Sequence, residues 1–344
     1  MSVVFTVIIL GLIIFLHELG HFMTAKYYKM PVLEFAIGMG PKIVSKKIGE
    51  TMYSIRVLPI GGFVNIGGMQ PDDNIEGGFY TKSPFSRFVV LVAGVVMNFM
   101  TALIGIFILF SVTGSIPLKF VPPVIGTVQE NSNAKNILFP EDRIIQIENV
   151  EIKNWGDVTV EILKFNDGEK KYSGEDISVK VVRKGKEVGV NVKLTYSREK
   201  QGYILGIQVK SPEVSFLKKL SASFYSFKEY FKMMLAGVKM LVTGQVSARE
   251  MTGPVGLPKF VGEAYKRGGV VALIHVFILL SINIGVMNLL PIPALDGGRL
   301  LFVIPEFLGM KINKKMEEKI HLIGMIFLLL LMAFIIFNDV TKYF

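Results

Sequence analysis

Cysteine is absent from this 344-residue chain, and histidine is rare. Without cysteine the chain has no disulfide and no thiolate ligand, so any metal site must use histidine, aspartate and glutamate. The small number of histidines limits such a site to a few combinations. The four histidines are His17, His21, His275 and His321.

Charged residues are also scarce, at 19% of the chain against 51% hydrophobic residues. The apolar residues form long runs, which predicts a polytopic membrane protein with one or two soluble parts. The net charge of +10 suits basic cytoplasmic loops and anionic membrane lipid. No nucleic-acid module accompanies it, so we expect no nucleic-acid partner. The N-terminus lacks the basic region and cleavage site of a signal peptide, which indicates a retained span.

His17, Glu18 and His21 form the motif His-Glu-Leu-Gly-His at the end of the first apolar run. On a helix the two imidazoles lie one turn apart and can bind one Zn²⁺, while Glu18 can act as general base on a water that the metal activates. The alternative is a chance match on an amphipathic helix. Ionisable side chains are costly within a span, and no nearby lysine or arginine pairs with these three, which favours the metal site.

Four apolar stretches can cross a membrane as helices, at about residues 2–24, 88–112, 269–290 and 321–337. Basic residues follow the first stretch and separate the third from the fourth, which predicts that both regions face the cytoplasm. Both termini and the region between the second and third stretches would then lie outside. Asn98, in the second stretch, either makes an interhelical hydrogen bond or takes part in catalysis.

The segment from about residue 30 to residue 87 lacks helical periodicity. Residues 42–46 and 52–57 are predicted to form two short strands of a hairpin. The apolar, glycine-rich stretch 58–68 follows. It either lines a cavity at membrane depth and offers a strand edge to an extended peptide, or forms an ordinary cytoplasmic loop. This stretch includes Gly61, Gly62 and Phe63.

Residues 121–210 are more charged, and several runs alternate as strands do. The segment 142–150 followed by Trp155 resembles the core of a PDZ domain, so we predict a PDZ-like β-domain. Residues 214–243 form an amphipathic pattern with lysines on one face. This helix lies either on the outer membrane surface or against the β-domain. The predicted strands are 124–128, 143–147, 177–182 and 188–192.

The third apolar stretch ends at Asn288 and is followed by Leu-Leu-Pro-Ile-Pro-Ala-Leu-Asp-Gly-Gly. Its prolines break the helix. Two histidines need a third protein ligand to form a catalytic zinc site, and we choose Asp296. His275 is the rival, but about thirteen residues of helix, roughly 20 Å, separate it from Asn288 and place it near the opposite membrane face.

These two motifs, in this order and in apolar stretches, resemble those of the site-2 proteases. This family contains intramembrane zinc metalloproteases, and the similarity is to the bacterial regulator-of-sigma-E type. The resemblance covers nearly the whole chain and includes Gly-Gly-Phe-Val at 61–64 and Gly-Pro-Val-Gly at 253–256. It implies zinc bound by His17, His21 and Asp296, with Glu18 as base. It also implies that the substrate is held by Asn288 and, as an added strand, by the hairpin with Gly61, Gly62 and Phe63.

The resemblance further implies the partners and the location. Substrates would be single-span membrane proteins, such as anti-sigma factors, or signal-peptide remnants. Another protease would trim them before the PDZ-like domain admits them. The protein would lie in the bacterial cytoplasmic membrane, with the active site toward the cytoplasm and the PDZ-like domain outside. The chain departs from many members at Val95, which follows Gly94 where they have proline, and at Asn65, where a basic residue is frequent.

The sequence therefore predicts a polytopic α-helical membrane protein with about four transmembrane helices, a membrane-associated β-hairpin and an inserted PDZ-like β-domain. The predicted activity is zinc-dependent hydrolysis of peptide bonds in transmembrane segments. One alternative is a membrane-anchored zincin that cuts cytosolic segments, which would need a soluble helical domain. The other is a metal transporter or PDZ scaffold, which would need polar residues along a path. The predicted parts are residues 1–120, 121–210, 211–268 (helix and connector) and 269–344.

Overall fold

The computed structural model describes residues 1–69, 75–166, 172–210, 214–246, 253–310 and 312–343. It divides into two compact units. The membrane unit comprises residues 1–109 and 227–344, and the β-unit comprises residues 110–226. The helices are α1 (Ser2–Tyr27), α2 (Pro84–Thr113), α3 (Trp155–Leu163), α4 (Phe216–Val242), α5 (Leu257–Leu289), α6 (Asp296–Glu306) and α7 (Lys314–Tyr343). The strands are β1 (Val32–Ile48), β2 (Thr51–Ile66), β3 (Ile125–Val128), β4 (Arg143–Ile147), β5 (Val150–Glu151), β6 (Ile177–Arg183), β7 (Lys186–Val192), β8 (Thr195–Ser197), β9 (Gly202–Ile204) and β10 (Ile207–Val209).

Four of the described helices, α1, α2, α5 and α7, are long and apolar enough to cross a membrane. Each contains one predicted span, and together with the β-rich middle region they confirm the predicted fold class. Each also extends beyond its prediction; α7 begins at Lys314 instead of about residue 321. Hydropathy detects only the apolar part of a helix, whereas lysine and glutamate are good helix formers that continue it into its polar flank.

The third span belongs to a longer, broken helix. α5 begins at Leu257, well before the predicted start, and is interrupted at Gly269, which has φ 59° and ψ −143°. Glycine adopts a positive φ without the steric penalty of a Cβ atom. The apolar span predicted from residue 269 is therefore the second segment of α5.

Small residues bring the membrane helices close together. A Cβ added to Gly20 of α1 would lie 2.5 Å from the Ala93 carbonyl oxygen of α2. A Cβ on Gly105 of α2 would lie 2.9 Å from the Ile278 side chain of α5. Because the hydrophobic effect adds little between helices in lipid, close van der Waals contact at small residues is a main source of association.

The hairpin of β1 and β2 is much longer than predicted, and the glycine-rich stretch 58–68 lies mainly within β2 rather than in a loop. Residues 34–37 of β1 pair with residues 52–55 of β2 on one side and with residues 62–65 on the other. The two strands bend at Gly38, Gly40 and Gly61, which all have positive φ. The sequence prediction missed this because glycines and prolines at the bends interrupt the alternation that indicates a strand.

A polar cluster joins the strands of this bent hairpin. Glu34 accepts hydrogen bonds from Ser54 Oγ at 2.6 Å and Arg56 Nη2 at 2.8 Å, and Lys42 Nζ lies 3.2 Å from its other oxygen. Partial burial raises the pKa of Glu34, but hydrogen bonds from these three partners lower it by more than burial raises it. The pKa of Glu34 therefore lies below its usual range. The cluster stabilises the fold-back at neutral pH.

The β-unit contains a four-stranded antiparallel sheet in the order β5-β4-β6-β7 and two smaller strand pairs. Each of the four predicted strands is present, as β3, β4, β6 and β7. Lys184 and Gly185 join β6 to β7 with φ of 50° and 79°, as a tight hairpin turn requires. Asn154 and Asp157 form a capping box that starts α3 at Trp155.

The β-unit extends beyond the predicted boundaries of 121–210, to residues 110–226. Phe110 at the end of α2 and Ala222 in α4 pack with its core, which explains the difference. Of the two positions considered for the amphipathic helix, contact with the β-domain is therefore observed for the first part of α4. Farther along α4, Phe227 and Phe231 contact Phe99 of the membrane unit, each at 5.6 Å between ring centroids.

Candidate metal and catalytic site

His17 and His21 lie one turn apart on α1 and are buried, with their Nε2 atoms 3.1 Å apart. His21 Nδ1 is 2.7 Å from the Val90 carbonyl oxygen, which can only accept, so Nδ1 carries the proton and Nε2 has a free lone pair. Asn98 Nδ2 lies 3.2 Å from His17 Nδ1. For His17 Nε2 to bind a metal, Nδ1 must carry the proton, so the Asn98 amide must then be turned by 180° with its oxygen accepting from Nδ1–H.

Asp296 reaches the histidine pair from the other end of the chain. It is the first residue of α6, and its Oδ2 lies 3.1 Å from His17 Nε2 and 3.3 Å from His21 Nε2. Two glycines at the start of α6 let the preceding segment pass close to the helix, since a Cβ on Gly297 or Gly298 would lie within 2.3 Å of one of its carbonyl oxygens. The structure thus brings together the three residues that the sequence prediction chose as ligands.

The three donor atoms fit a zinc ion. Among the described residues, His17, His21 and Asp296 form one group whose ligand atoms lie within 4.8 Å of one another, and Asp296 Oδ2 is buried without a hydrogen-bond donor. Three lone pairs facing one another at this distance repel unless a cation lies between them. Tetrahedral zinc with bonds of about 2.0–2.1 Å separates neighbouring ligand atoms by about 3.3 Å, close to the distances observed.

Glu18 lies between the histidine pair and the hairpin. The Val64 backbone amide of β2 is within hydrogen-bonding range of its carboxylate. A Cβ added to Gly62 would lie 3.6 Å from Glu18 Cγ and 2.8 Å from the Ala36 carbonyl oxygen. The glycine at this position therefore permits the close approach of β2 to β1, and this part of β2 lies beside the predicted general base.

Asn288 is the predicted substrate-binding residue nearest to the ligands, with Nδ2 3.5 Å from His17 Nε2. Gly61 is at a bend of β2 with φ 93°, and Phe63 stacks under Arg56, whose guanidinium carbon is 4.8 Å from the ring centroid. Their contact with a substrate stays a prediction. His275, the rejected rival ligand, is outside the metal group and bonds the Val271 carbonyl of its own helix.

Sequence reasoning missed Gly94 of α2. A Cβ at this position would lie 2.3 Å from His21 Nε2 and 2.6 Å from His17 Cε1. Gly94 and Asn98 are one turn apart and therefore share a helix face. A small residue one turn before the polar residue of a span was a signal that could have identified it.

An apolar helical scaffold with a His-His-Asp group and an adjacent glutamate defines a membrane metallohydrolase. The comparisons with known proteins agree. Residues 5–331 match peptidase family M50. A Fusobacterium nucleatum protein named as a zinc metalloprotease is 42% identical over the full length of both chains. Zinc metalloprotease RasP of Geobacillus kaustophilus is 29% identical over 100% of this chain and 98% of its own.

The chain therefore belongs to peptidase family M50, the site-2 protease family. It is a membrane zinc metalloprotease, which confirms the predicted enzyme class and cofactor and sets aside the transporter and scaffold alternatives. A solved structure, the PDZ domain of the SdrC-like protein from Listeria innocua, is 23% identical over 26% of this chain and 92% of that chain, with a TM-score of 0.23. That score carries no argument, so the PDZ identity of the β-unit stays a prediction.

Proposed function

We propose that this enzyme hydrolyses peptide bonds inside the transmembrane segments of single-span membrane proteins. The observation that carries the proposal is the position of the ligand group. His17 and His21 lie in the apolar helix α1, and Asp296 joins them from the segment that follows α5. The reacting groups are therefore in the part of the chain that is built to contact lipid, rather than in a soluble domain.

The catalytic roles follow from the contacts of each side chain. His17, His21 and Asp296 would hold a zinc ion, which would supply a Lewis acid to acidify water and polarise the scissile carbonyl. Glu18 accepts the proton of the attacking water and later donates it to the leaving amine. The Val64 N–H orients Glu18, and Val90 and Asn98 hold the two imidazoles.

The substrate segment must be extended before it is cut, because a helix has no free backbone groups. Among the described residues, residues 62–66 of β2 pair with β1 on one side only, and the Val64 backbone lies within hydrogen-bonding range of Glu18. A peptide added to this edge regains backbone hydrogen bonds and lies beside the base. Asn288 can donate from the opposite side to the substrate backbone.

The proposal includes the partners and the location. The enzyme acts in the bacterial cytoplasmic membrane, with the ligand group toward the cytoplasm because Lys26 lies in the last turn of α1 and Lys29 follows the helix. Its substrates are single-span proteins already shortened by another protease, and the β-unit admits the shortened form. A pair of substrates with one span, with and without a folded outer domain, tests this filter: the short form should be cleaved faster.

The test of the activity is Glu18→Gln in the purified enzyme reconstituted with a single-span substrate. This change keeps the shape of the side chain but removes the base, so zinc should remain bound while cleavage falls by about 100-fold or more. Metal analysis measures the zinc, and mass spectrometry of the products locates the cut. Glu263→Gln is the matched control, because Glu263 is exposed on α5 away from the ligands.

Two results would contradict the proposal. Cleavage at the wild-type rate by Glu18→Gln would remove Glu18 from its role. Products cut only in segments outside the lipid would favour the membrane-anchored zincin that cuts cytosolic segments.

A further inference from the structure

His321 is a buried histidine of α7 that contacts the loop leading to Asp296. The residue is 8% exposed, on a helix whose apolar side chains are mostly exposed. His321 Nδ1 accepts a hydrogen bond from the Ala294 N–H at 2.8 Å. Ala294 is two residues before Asp296, so the imidazole binds the backbone that leads to the Asp296 side chain.

The loop before Asp296 has an unfavourable conformation that needs such support. Ala294 has φ 77°, in the left-handed region that a residue with a Cβ atom rarely adopts. Leu295 then starts α6 without a side-chain cap. α7 also packs tightly against Pro293, the residue before Ala294, because a Cβ on Gly324 would lie 2.3 Å from Pro293 Cβ. The face of α7 with His321 and Gly324 therefore supports this turn.

The other nitrogen of the His321 ring has no hydrogen-bond partner among the described residues. Because Nδ1 accepts a hydrogen bond, the proton of the neutral ring is on Nε2. Nε2 faces Glu317 Oε1 at 3.9 Å, and Phe302 lies against the ring with centroids 5.6 Å apart. The ring is therefore held by its packing and by one hydrogen bond, to the Ala294 N–H of the loop that leads to Asp296. Groups that hold a ligand in this way affect metal affinity without contacting the metal.

We propose that His321 is a positioning residue of the metal site. Its bond to the Ala294 N–H holds the left-handed turn and keeps Asp296 Oδ2 directed at His17 and His21. This inference rests on the proposed zinc site and adds to it a residue in the last membrane helix that does not contact the ligands.

Two substitutions separate the hydrogen bond from simple packing. His321→Leu fills much of the space but cannot accept from Ala294, whereas His321→Asn has an acceptor oxygen at the position of Nδ1. His275→Leu is the matched control, because His275 lies exposed on another span and bonds its own helix. Zinc affinity is measured by competition with a chelator, and coordination by the visible spectrum of the cobalt-substituted enzyme. Hydrogen–deuterium exchange of the peptide that contains Ala294 is measured without metal.

We expect His321→Leu to weaken zinc binding by roughly 10- to 100-fold, as is usual when a residue that orients a metal ligand is replaced. Its cobalt spectrum should change, and exchange at Ala294 should accelerate even without metal. His321→Asn should restore most of each property, and His275→Leu should match the wild type. Wild-type affinity and spectrum in His321→Leu, or equal losses in the Leu and Asn variants, would overturn the role of the hydrogen bond. Absence of zinc from the wild type would instead overturn the proposed function.

Discussion

Gly94 and Asn98 show how single residues of α2 shape the metal site without binding the metal. Asn98 is fully buried, contacts His17, and accepts a hydrogen bond on its backbone oxygen from Ser281 of α5 at 2.9 Å. Gly94 provides the empty space into which both imidazoles project. The Asn98 side chain contacts His17, a predicted ligand on another helix, whereas Ser281 bonds only its backbone oxygen, and a catalytic role for Asn98 stays a prediction.

At the residue scale we predict that Gly94→Ala removes the metal while leaving the helices folded. The new methyl group would overlap His21 Nε2 and His17 Cε1, and a helix backbone cannot move away easily. Zinc affinity should fall at least about 100-fold. Chelator competition measures it, with Gly237→Ala as control because no atom lies within 4 Å of a Cβ there. Wild-type affinity in Gly94→Ala would mean that the two imidazoles can move apart.

At the scale of elements, α7 is held by polar side chains buried near its ends. Glu317 and His321 lie near its start, and Asp339 lies near its end. Asp339 is fully buried, and its carboxylate accepts hydrogen bonds from the backbone N–H groups of Gly253, Val255 and Gly256 at 2.9–3.2 Å. These amides immediately precede α5, so Asp339 links α7 to the start of α5 by hydrogen bonds.

We predict that Asp339→Leu destabilises the membrane unit, since three buried N–H groups lose their acceptor. Each such loss costs about 1–3 kcal/mol, and relaxation of the loop should limit the total to about 3 kcal/mol. Asp339→Asn keeps one acceptor oxygen and should cost less. Unfolding by a denaturing detergent measures both. Glu318→Leu, an exposed acidic residue on the same helix, should stay within about 0.5 kcal/mol of wild type; an equal effect there would contradict the anchoring role.

At the scale of the whole molecule, the chain is a multi-pass membrane protein with a β-unit inserted between its second and third membrane helices. The four membrane helices of the described residues predict that both termini lie on one side of the membrane, together with the β-unit that follows the second of them. The basic residues at the end of α1 and at the start of α7 predict that this side is the outside.

The absence of cysteine permits a direct test of this topology, because each introduced cysteine is the one thiol to react. Lys186→Cys, exposed in the β-unit, should react with a membrane-impermeant maleimide in intact spheroplasts. Lys315→Cys, exposed at the start of α7, should react only after permeabilisation. Cleavage activity of each variant serves as the folding control. The reverse labelling pattern would invert the proposed orientation.

The sequence by itself determined the features that depend on local periodicity. Helical spacing placed His17 and His21 on one face, long apolar runs located four membrane helices, and alternation located the strands of the β-unit. These patterns work because each residue's neighbours along the chain set its backbone conformation. Chemical logic then selected Asp296, since so few ligand types were available in this chain.

Only the tertiary structure decided which distant residues meet. It revealed the double pairing of the hairpin, Gly94 beside the imidazoles, and His321 beneath the loop that carries Asp296. No local pattern encodes such contacts, because they depend on how helices pack and on which backbone groups remain to be satisfied. The strands of the hairpin were not predicted for the same reason. Glycines interrupt their alternation, and the bent strand conformation is stabilised by partners far away in the chain.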